Sequence, residues 1–185
     1  YSGEQFIAEA MESAIAQTYS NLEIIVSDDD SKDATLDIIK FFRGKTTIPI
    51  HIYHHDPKGI GANWNHCILK ANGEFIKFLF QDDVMENDCL EKMVKLIEEN
   101  PNIGLIASKR SFIVEENVNN DATNEWLEKY EDLQKEFGST ESNYCLTRDI
   151  FSLNTFISNP KNKIGEPSTV LFRKSLIDEI GYFNE

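Results

Sequence analysis

Basic residues are scarce in this sequence. Its 185 residues hold 18 Lys and Arg against 32 Asp and Glu, a formal net charge of −14 at pH 7. That balance argues against nucleic acid as a partner, because a phosphate backbone is gripped by clustered Lys and Arg. A phosphate-bearing ligand would have to be accepted through a metal ion or local basic groups. Cysteine is sparse as well: Cys67, Cys89 and Cys145 are odd in number, far apart, and form no C-x-x-C. The spacing fits neither a zinc knuckle nor a disulfide framework. Reduced thiols acting as small core hydrophobes are the simplest reading, and they imply a reducing, cytoplasmic compartment. No apolar run approaches membrane-spanning length, and no signal-peptide pattern is present. Also missing are the G-x-x-x-x-G-K-[ST] phosphate loop, G-x-G-x-x-G, the G-x-S-x-G elbow and any internal repeat.

What is there centres on Gly73 to Asp88, G-E-F-I-K-F-L-F-Q-D-D-V-M-E-N-D. Phe75, Ile76, Phe78, Leu79 and Phe80 predict a strand buried on both faces of a parallel sheet. Asp82 and Asp83 then stand where that strand emerges, the edge at which open α/β sheets bind ligands. Adjacent carboxylates repel unless a cation neutralises them, and oxygen-only donors point to magnesium or manganese rather than zinc.

Around this stretch, strand and helix alternate. Helices are expected at about 4–18, 33–42, 62–71 and 87–99, with Ser2 as N-cap of the first. Strands are expected at 22–27, 48–53 and 103–108, with 111–115 a continuation or a neighbour. The order predicts an α/β fold with a mainly parallel sheet flanked by helices, in a single domain over 1–185. A polar loop at 116–123 interrupts it. Helices at about 126–137 and 147–157 then form a helical insertion over 117–158, with Trp126 and Tyr130 on its core face. Strand 169–173 and helix 175–180 return to the pattern.

A second acidic cluster, Asp28-Asp29-Asp30, ends the strand at 22–27. One Asp-rich turn simply ends a strand and caps a helix. Two such turns, each after a buried strand, imply a ligand that needs the charge. His51, His54 and His55 lie on a strand and its exit loop. Alternate strand residues point oppositely, so the three read as solvated surface rather than a zinc site.

These residues together resemble family 2 glycosyltransferases of bacterial type. Tyr1-Ser2-Gly3-Glu4 and the following helix, leading to Asp28-Asp29-Asp30-Ser31-Lys32-Asp33, are similar to the family's opening, a Tyr-Asn turn, a helix and D-D-G-S-x-D. Asn65 with Ala71-Asn72-Gly73-Glu74-Phe75-Ile76 resembles the Asn before A-x-G-E-Y-I. Gln81-Asp82-Asp83 falls on the metal-binding D-x-D. Gly165-Glu166-Pro167, Leu171-Phe172-Arg173 and Ile180-Gly181-Tyr182-Phe183 resemble the later segment. The likeness spans nearly the whole chain apart from 115–146.

The resemblance implies the GT-A fold, a Rossmann-like nucleotide-diphospho-sugar transferase fold, and inverting transfer of a sugar. The donor would be a nucleotide-diphosphate sugar, a UDP-sugar first of all, and the acceptor a glycan or lipid-linked hydroxyl in polysaccharide or cell-surface glycan synthesis. It implies a nucleotide-binding set of Tyr1, Glu4, Asp28, Asp29, Lys58, Asn65 and Asp82, with Tyr1 stacked on the base and Asp29 bonded to it. Asp83, with Asp82, would hold Mn2+ or Mg2+. The parent protein could associate peripherally with the inner face of a membrane.

The chain departs from the pattern in several places. Ser2 replaces Asn, Asp30 replaces Gly, Lys32 replaces Thr, and Gln81 replaces the first acid of D-x-D. A fragment is expected, lacking the family's first strand and its general base, with Glu166 the first suspect for a base within these residues. Two other classes stay open: a phospho-receiver signalling domain, which also gathers aspartates around magnesium, and a non-catalytic nucleotide-sugar-binding module.

Overall fold

The computed structural model of the chain describes residues 1–114, 118, 121–137, 145–147, 149, 152–154, 158, 162 and 164–184. Two compact units make up the chain: Tyr1–Ile106 with Leu171–Glu185, and Ala107–Val170.

The first unit carries the alternation expected from the sequence. Its order is α1 (Ile7–Ile15), β1 (Ile24–Asp28), α2 (Thr35–Arg43), β2 (Ile50–His54), α3 (Ile60–Lys70), β3 (Phe75–Lys77), α4 (Cys89–Glu99) and β4 (Leu105–Ala107). α5 (Asp121–Tyr130) belongs to the second unit, and β5 (Val170–Arg173) and α6 (Leu176–Ile180) complete the series. The boundary between units falls at the ends of β4 and β5.

Helical spacing in α1 buries Ala10, Met11 and Ala14 on one face. Met11 packs with Ile39 and Phe42 of α2 and Ile50 of β2, and Ile24, Val26 and Ile52 close that core from β1 and β2. A second cluster joins Met93, Val94 and Ile97 of α4 to Leu171 of β5. Apolar burial of this kind is the main force holding each element in place.

β1 and β2 pair in parallel, Ile24 opposite Ile50 through Asp28 opposite His54. The α/β fold with parallel strands flanked by helices is thus present. The apolar run after Gly73 differs from expectation, because only Phe75–Lys77 is strand, and it pairs antiparallel with β5 in a sheet ordered β3-β5-β4. Phe78, buried, and Phe80, half-buried, are covered by ring packing instead. Trp64 stacks on Phe80 at 5.6 Å, and Phe183 meets both Trp64 and Phe78. Between the two sheets lies a cavity of about 1490 Å³, bordered by Ile24, Ile25 and Val26 of β1 and by Phe75, Ile76 and Lys77 of β3.

Other expectations also change. Ser2 is not a helix cap; Phe6 occupies that position, and the Ser2 backbone is at φ 51°. Cys67 and Cys89 are half-buried, but Cys145 is exposed. Residues 111–114 form no strand, and Glu115 lies outside the described residues, as does most of the helix expected at 147–157. In the second unit α5 buries none of its residues. Trp126 and Tyr130 are therefore not core; they pack on each other and, through Trp126, on Phe112, whose ring lies beneath Arg110. Among the described residues no helix is long and apolar enough to cross a membrane.

Candidate functional site

The turn before α1 is fastened to the Asp-rich turn after β1 by alternate side chains. Ser31 Oγ accepts the Ser2 N–H at 2.9 Å, Thr35 Oγ1 the Gly3 N–H at 2.8 Å, and Asp33 Oδ2 the Glu4 N–H at 3.1 Å. In return Glu4 Oε2 accepts the N–H of Ala34, the residue before α2, at 2.9 Å. Three N–H groups in succession are matched by acceptors two residues apart, which is why Ser31, Asp33 and Thr35 recur at that interval. The Thr35 hydroxyl, foremost, and the N–H groups of Glu4 and Thr35 hold the Asp33 carboxyl below the ordinary range. Gly3 lets the Gln81 side chain lie close, since a Cβ there would stand 2.5 Å from Gln81 Oε1 and push that side chain aside. The staple sets Tyr1, two-thirds exposed, beside Gln81.

Within the β1 exit the three aspartates do different work. Asp28 is buried, and its Oδ2 accepts the Ser31 N–H at 2.9 Å, so it shapes the turn. Asp30 is exposed at φ 65° and pairs with Lys32. Asp29 faces the cavity. The β1–β2 register, carried one residue on by the His55 N–H to Asp28 carbonyl bond, puts His55 beside Asp29. His55 Nδ1 is 2.9 Å from Asp29 Oδ1. The His55 ring lies 5.0 Å from that of His66, whose Nδ1 bonds Ser27 Oγ at 2.8 Å. Burial foremost, with the His55 and Lys70 charges, holds His66 below the ordinary histidine value. At the next position in α3, burial pushes the Cys67 thiol up to about 11.

Gln81, Asp82 and Asp83 follow β3 on a turn closed by the Asp83 N–H to the Phe80 carbonyl. The loop from Asp82 to Asp88 is pinned to the end of α1. Buried Gln17 donates to the Ser13 and Glu86 carbonyls and accepts the Leu90 N–H, all at 2.9 to 3.0 Å. The Thr18 hydroxyl donates to Glu91 at 2.7 Å. Nearby Lys77 donates to the Phe78 carbonyl; burial pulls its pKa down, with Cys89 and Asp83 opposing.

Asp82 and Asp83 supply an all-oxygen donor set, and no cluster of three metal-ligating side chains occurs among the described residues. Magnesium-like ions commonly take one or two carboxylates and complete their shell with water and phosphate oxygens. Two carboxylates on an accessible turn fit such an ion.

The other expected residues fall as follows. Glu4 is spent on the staple. Lys58 is exposed on the loop between β2 and α3. Asn65 is buried and clamps the chain after α6, accepting the Phe183 N–H and donating to the Phe183 carbonyl, both at 2.9 Å. Glu166 lies in the second unit, where Arg110 engages its carboxylate. Tyr1, Asp28, Asp29, Gln81 and Asp82 all border the one cavity, while Asp83 stands beside it on the same turn. His55, read from the sequence as solvated surface, is instead largely buried against Asp29, with 15% of its side chain exposed, and the sequence reading does not reach Trp64 or Gln17. For His55 the signal was present, since a constant offset of 26 between β1 and β2 pairs it with Asp29.

Comparison with known proteins bears on family and fold. The profile of Glycosyl transferase family 2 matches residues 1–181. Over 95 residues the chain is 38% identical to EpsH of Bacillus subtilis (strain 168), provisionally named a glycosyltransferase, covering 51% of this chain and 27% of that protein. The structure of Staphylococcus aureus TarS 1–349 superposes with a TM-score of 0.70 at 22% identity, covering 100% of this chain and 48% of that one. TarS has also been solved with UDP and with UDP-GlcNAc. The mannosyltransferase PcManGT of Pyrobaculum calidifontis, in complex with GDP-Man and Mn2+, superposes with a TM-score of 0.62 at 17% identity, over 97% of this chain and 44% of that one. Likeness at these identities establishes the GT-A fold. The matched stretch thus spans about a quarter to a half of these proteins' lengths.

Proposed function

The chain belongs to Glycosyl transferase family 2, and on that premise we propose that its protein transfers a sugar from a UDP-sugar to an acceptor hydroxyl. One observation carries the proposal: a candidate base-reading acid, Asp29, and Asp82 of the candidate metal-holding pair border one cavity together with Tyr1, and Asp83 follows Asp82 on the same turn. The UDP complexes of TarS support the choice of nucleotide.

In this reading the Tyr1 ring covers the base, and the Asp29 carboxylate accepts the N3–H of uracil. Cytosine carries a lone pair at that atom, so it would face the carboxylate with like polarity and is disfavoured. Asp83 and Asp82 hold a divalent cation, Mn2+ or Mg2+. When bound, it supplies positive charge against the diphosphate as the nucleotide leaves. The staple from Ser2 to Thr35 and the Gln17 pin hold the two halves of the site at fixed separation, which keeps the geometry preorganised.

We also propose that a further β-strand fills the apolar floor of the cavity between β1 and β3, which leaves the donor site at the rim, where Tyr1, Asp29, Gln81 and Asp82 stand past the strand ends. Among the described residues β1 pairs with β2 and β3 with β5, while both border the same apolar space. Buried backbone groups along such edges need partners.

The test is a thermal-shift series of nucleotide sugars with and without Mn2+, since a ligand bound to the native state raises Tm. UDP-sugars are expected to raise Tm by a few degrees with Mn2+ and less without it. No shift with any UDP-sugar, in the presence of metal, would refute the proposal.

A further inference from the structure

The geometry points to His55 as a positioning residue that fixes the Asp29 carboxylate for base selection, an inference that rests on the donor reading above. A carboxylate can only accept, so at 2.9 Å from Asp29 Oδ1 it is His55 Nδ1 that carries the proton. The bond occupies one Asp29 oxygen and sets the rotation of the carboxylate. Among the described residues no other hydrogen bond reaches Asp29, and its side chain borders the cavity. Oδ2 is left as the acceptor available to a base. As a carboxylate, Asp29 offers only acceptors at that oxygen, which is the polarity that distinguishes uracil from cytosine.

His55 is itself held from two sides. Its ring lies against His66, and His66 is fixed by Ser27 and by the edge of Tyr53 at 5.9 Å. Only 15% of the His55 side chain and 18% of the Asp29 side chain are exposed, so water competes weakly for the bond. The chain from Ser27 through His66 and His55 to Asp29 thus transmits the rigidity of β1 and α3 to one oxygen at the cavity edge.

Two substitutions separate the donor from the ring. His55→Phe keeps an aromatic ring against His66 and removes the Nδ1–H. His55→Asn discards the ring but carries an amide nitrogen near the Nδ1 position. UDP and CDP affinities are measured by isothermal titration with Mn2+ present, and a melting curve shows that each variant is folded. If His55→Phe does not fold, His55→Leu takes its place. The wild-type protein is expected to prefer UDP by on the order of tenfold or more. In His55→Phe the preference falls about five- to tenfold, through weaker UDP binding, whereas His55→Asn stays within about twofold of wild type. A wild-type ratio in His55→Phe, or an equal loss in both variants, overturns the inference and leaves the donor reading standing. A wild-type protein that binds UDP and CDP alike overturns the inference together with the role of Asp29.

Discussion

Ser2 and Asp30 hold backbone angles that most side chains avoid, φ 51° and φ 65°. They are also two of the positions at which this chain departs from the family pattern it resembles, where Asn and Gly are usual. Both family residues tolerate the left-handed region, so the pattern reflects backbone shape as much as chemistry. Aspartate is itself among the more tolerant residues, and the exposed Lys32 pair adds little. Asp30→Gly relieves about 1 kcal/mol of strain and costs about 0.5–1 kcal/mol through the unfolded chain. Urea unfolding should therefore place it within about 0.5 kcal/mol of wild type. Asp30→Val, a branched side chain at positive φ, should lose about 2 kcal/mol; a loss as large for Gly would show that the carboxylate matters, not the angle.

A second residue-scale prediction concerns pH. Burial, His55 and Lys70 hold His66 below the ordinary histidine value. The unfolded chain then takes up a proton that the folded chain resists. Stability from this source is full above the ordinary value and is lost as pH falls through it. The Tm drop between about pH 8 and about pH 6 should shrink in His66→Gln. An unchanged drop would place the pH response elsewhere. The lowered value follows from packing that α3 and β2 create together, so nothing in the local sequence discloses it. Asp28 and Asp29 were legible as a pair, but which one turns inward to the Ser31 N–H and which faces the cavity depends on the turn.

At the scale of elements, the helices and strands of the first unit lie within two or three residues of their expected bounds, because their periodicity comes from the two cores they bury. The run after Gly73 misled for a physical reason. Phe78 is buried against Trp64 and Phe183 and Phe80 half-buried against Trp64, and an aromatic cluster leaves the same apolar signature as a strand. α5 misled in the opposite way, its aromatic stripe being satisfied by Phe112 and by mutual ring contact at the surface. No spacing rule announces Arg173, yet it joins four elements. It donates to the Ile97 carbonyl at the end of α4, to the Ile103 carbonyl before β4 and to Glu74 before β3, and its guanidinium lies over Phe75. Cationic donors suit the last carbonyls of a helix. Arg173→Ala should cost about 2–3 kcal/mol by urea unfolding, since it strands two carbonyls, and Arg173→Lys should recover less than half. A loss below about 0.5 kcal/mol would mean that these carbonyls find other partners.

For the molecule as a whole, the proposed function turns on charge. A net charge of −14 repels an anionic donor unless a cation intervenes, and the carboxylate pair after β3 is where the chain gathers negative charge beside a cavity. The composition disclosed this need before any fold was known, and family membership sets aside the phospho-receiver alternative. The depth of the cavity was not legible, because it arises from the separation of two sheets. The most direct measurement is isothermal titration of UDP into the protein with Mn2+ and with EDTA, for wild type and Asp83→Ala. Removing one of two repelling carboxylates should leave Tm unchanged or slightly raised. Wild type is expected to bind UDP with Mn2+ at least about tenfold more tightly than in EDTA, and Asp83→Ala to bind alike in both. Metal-independent binding by wild type, or an undiminished Mn2+ effect in folded Asp83→Ala, would contradict the account.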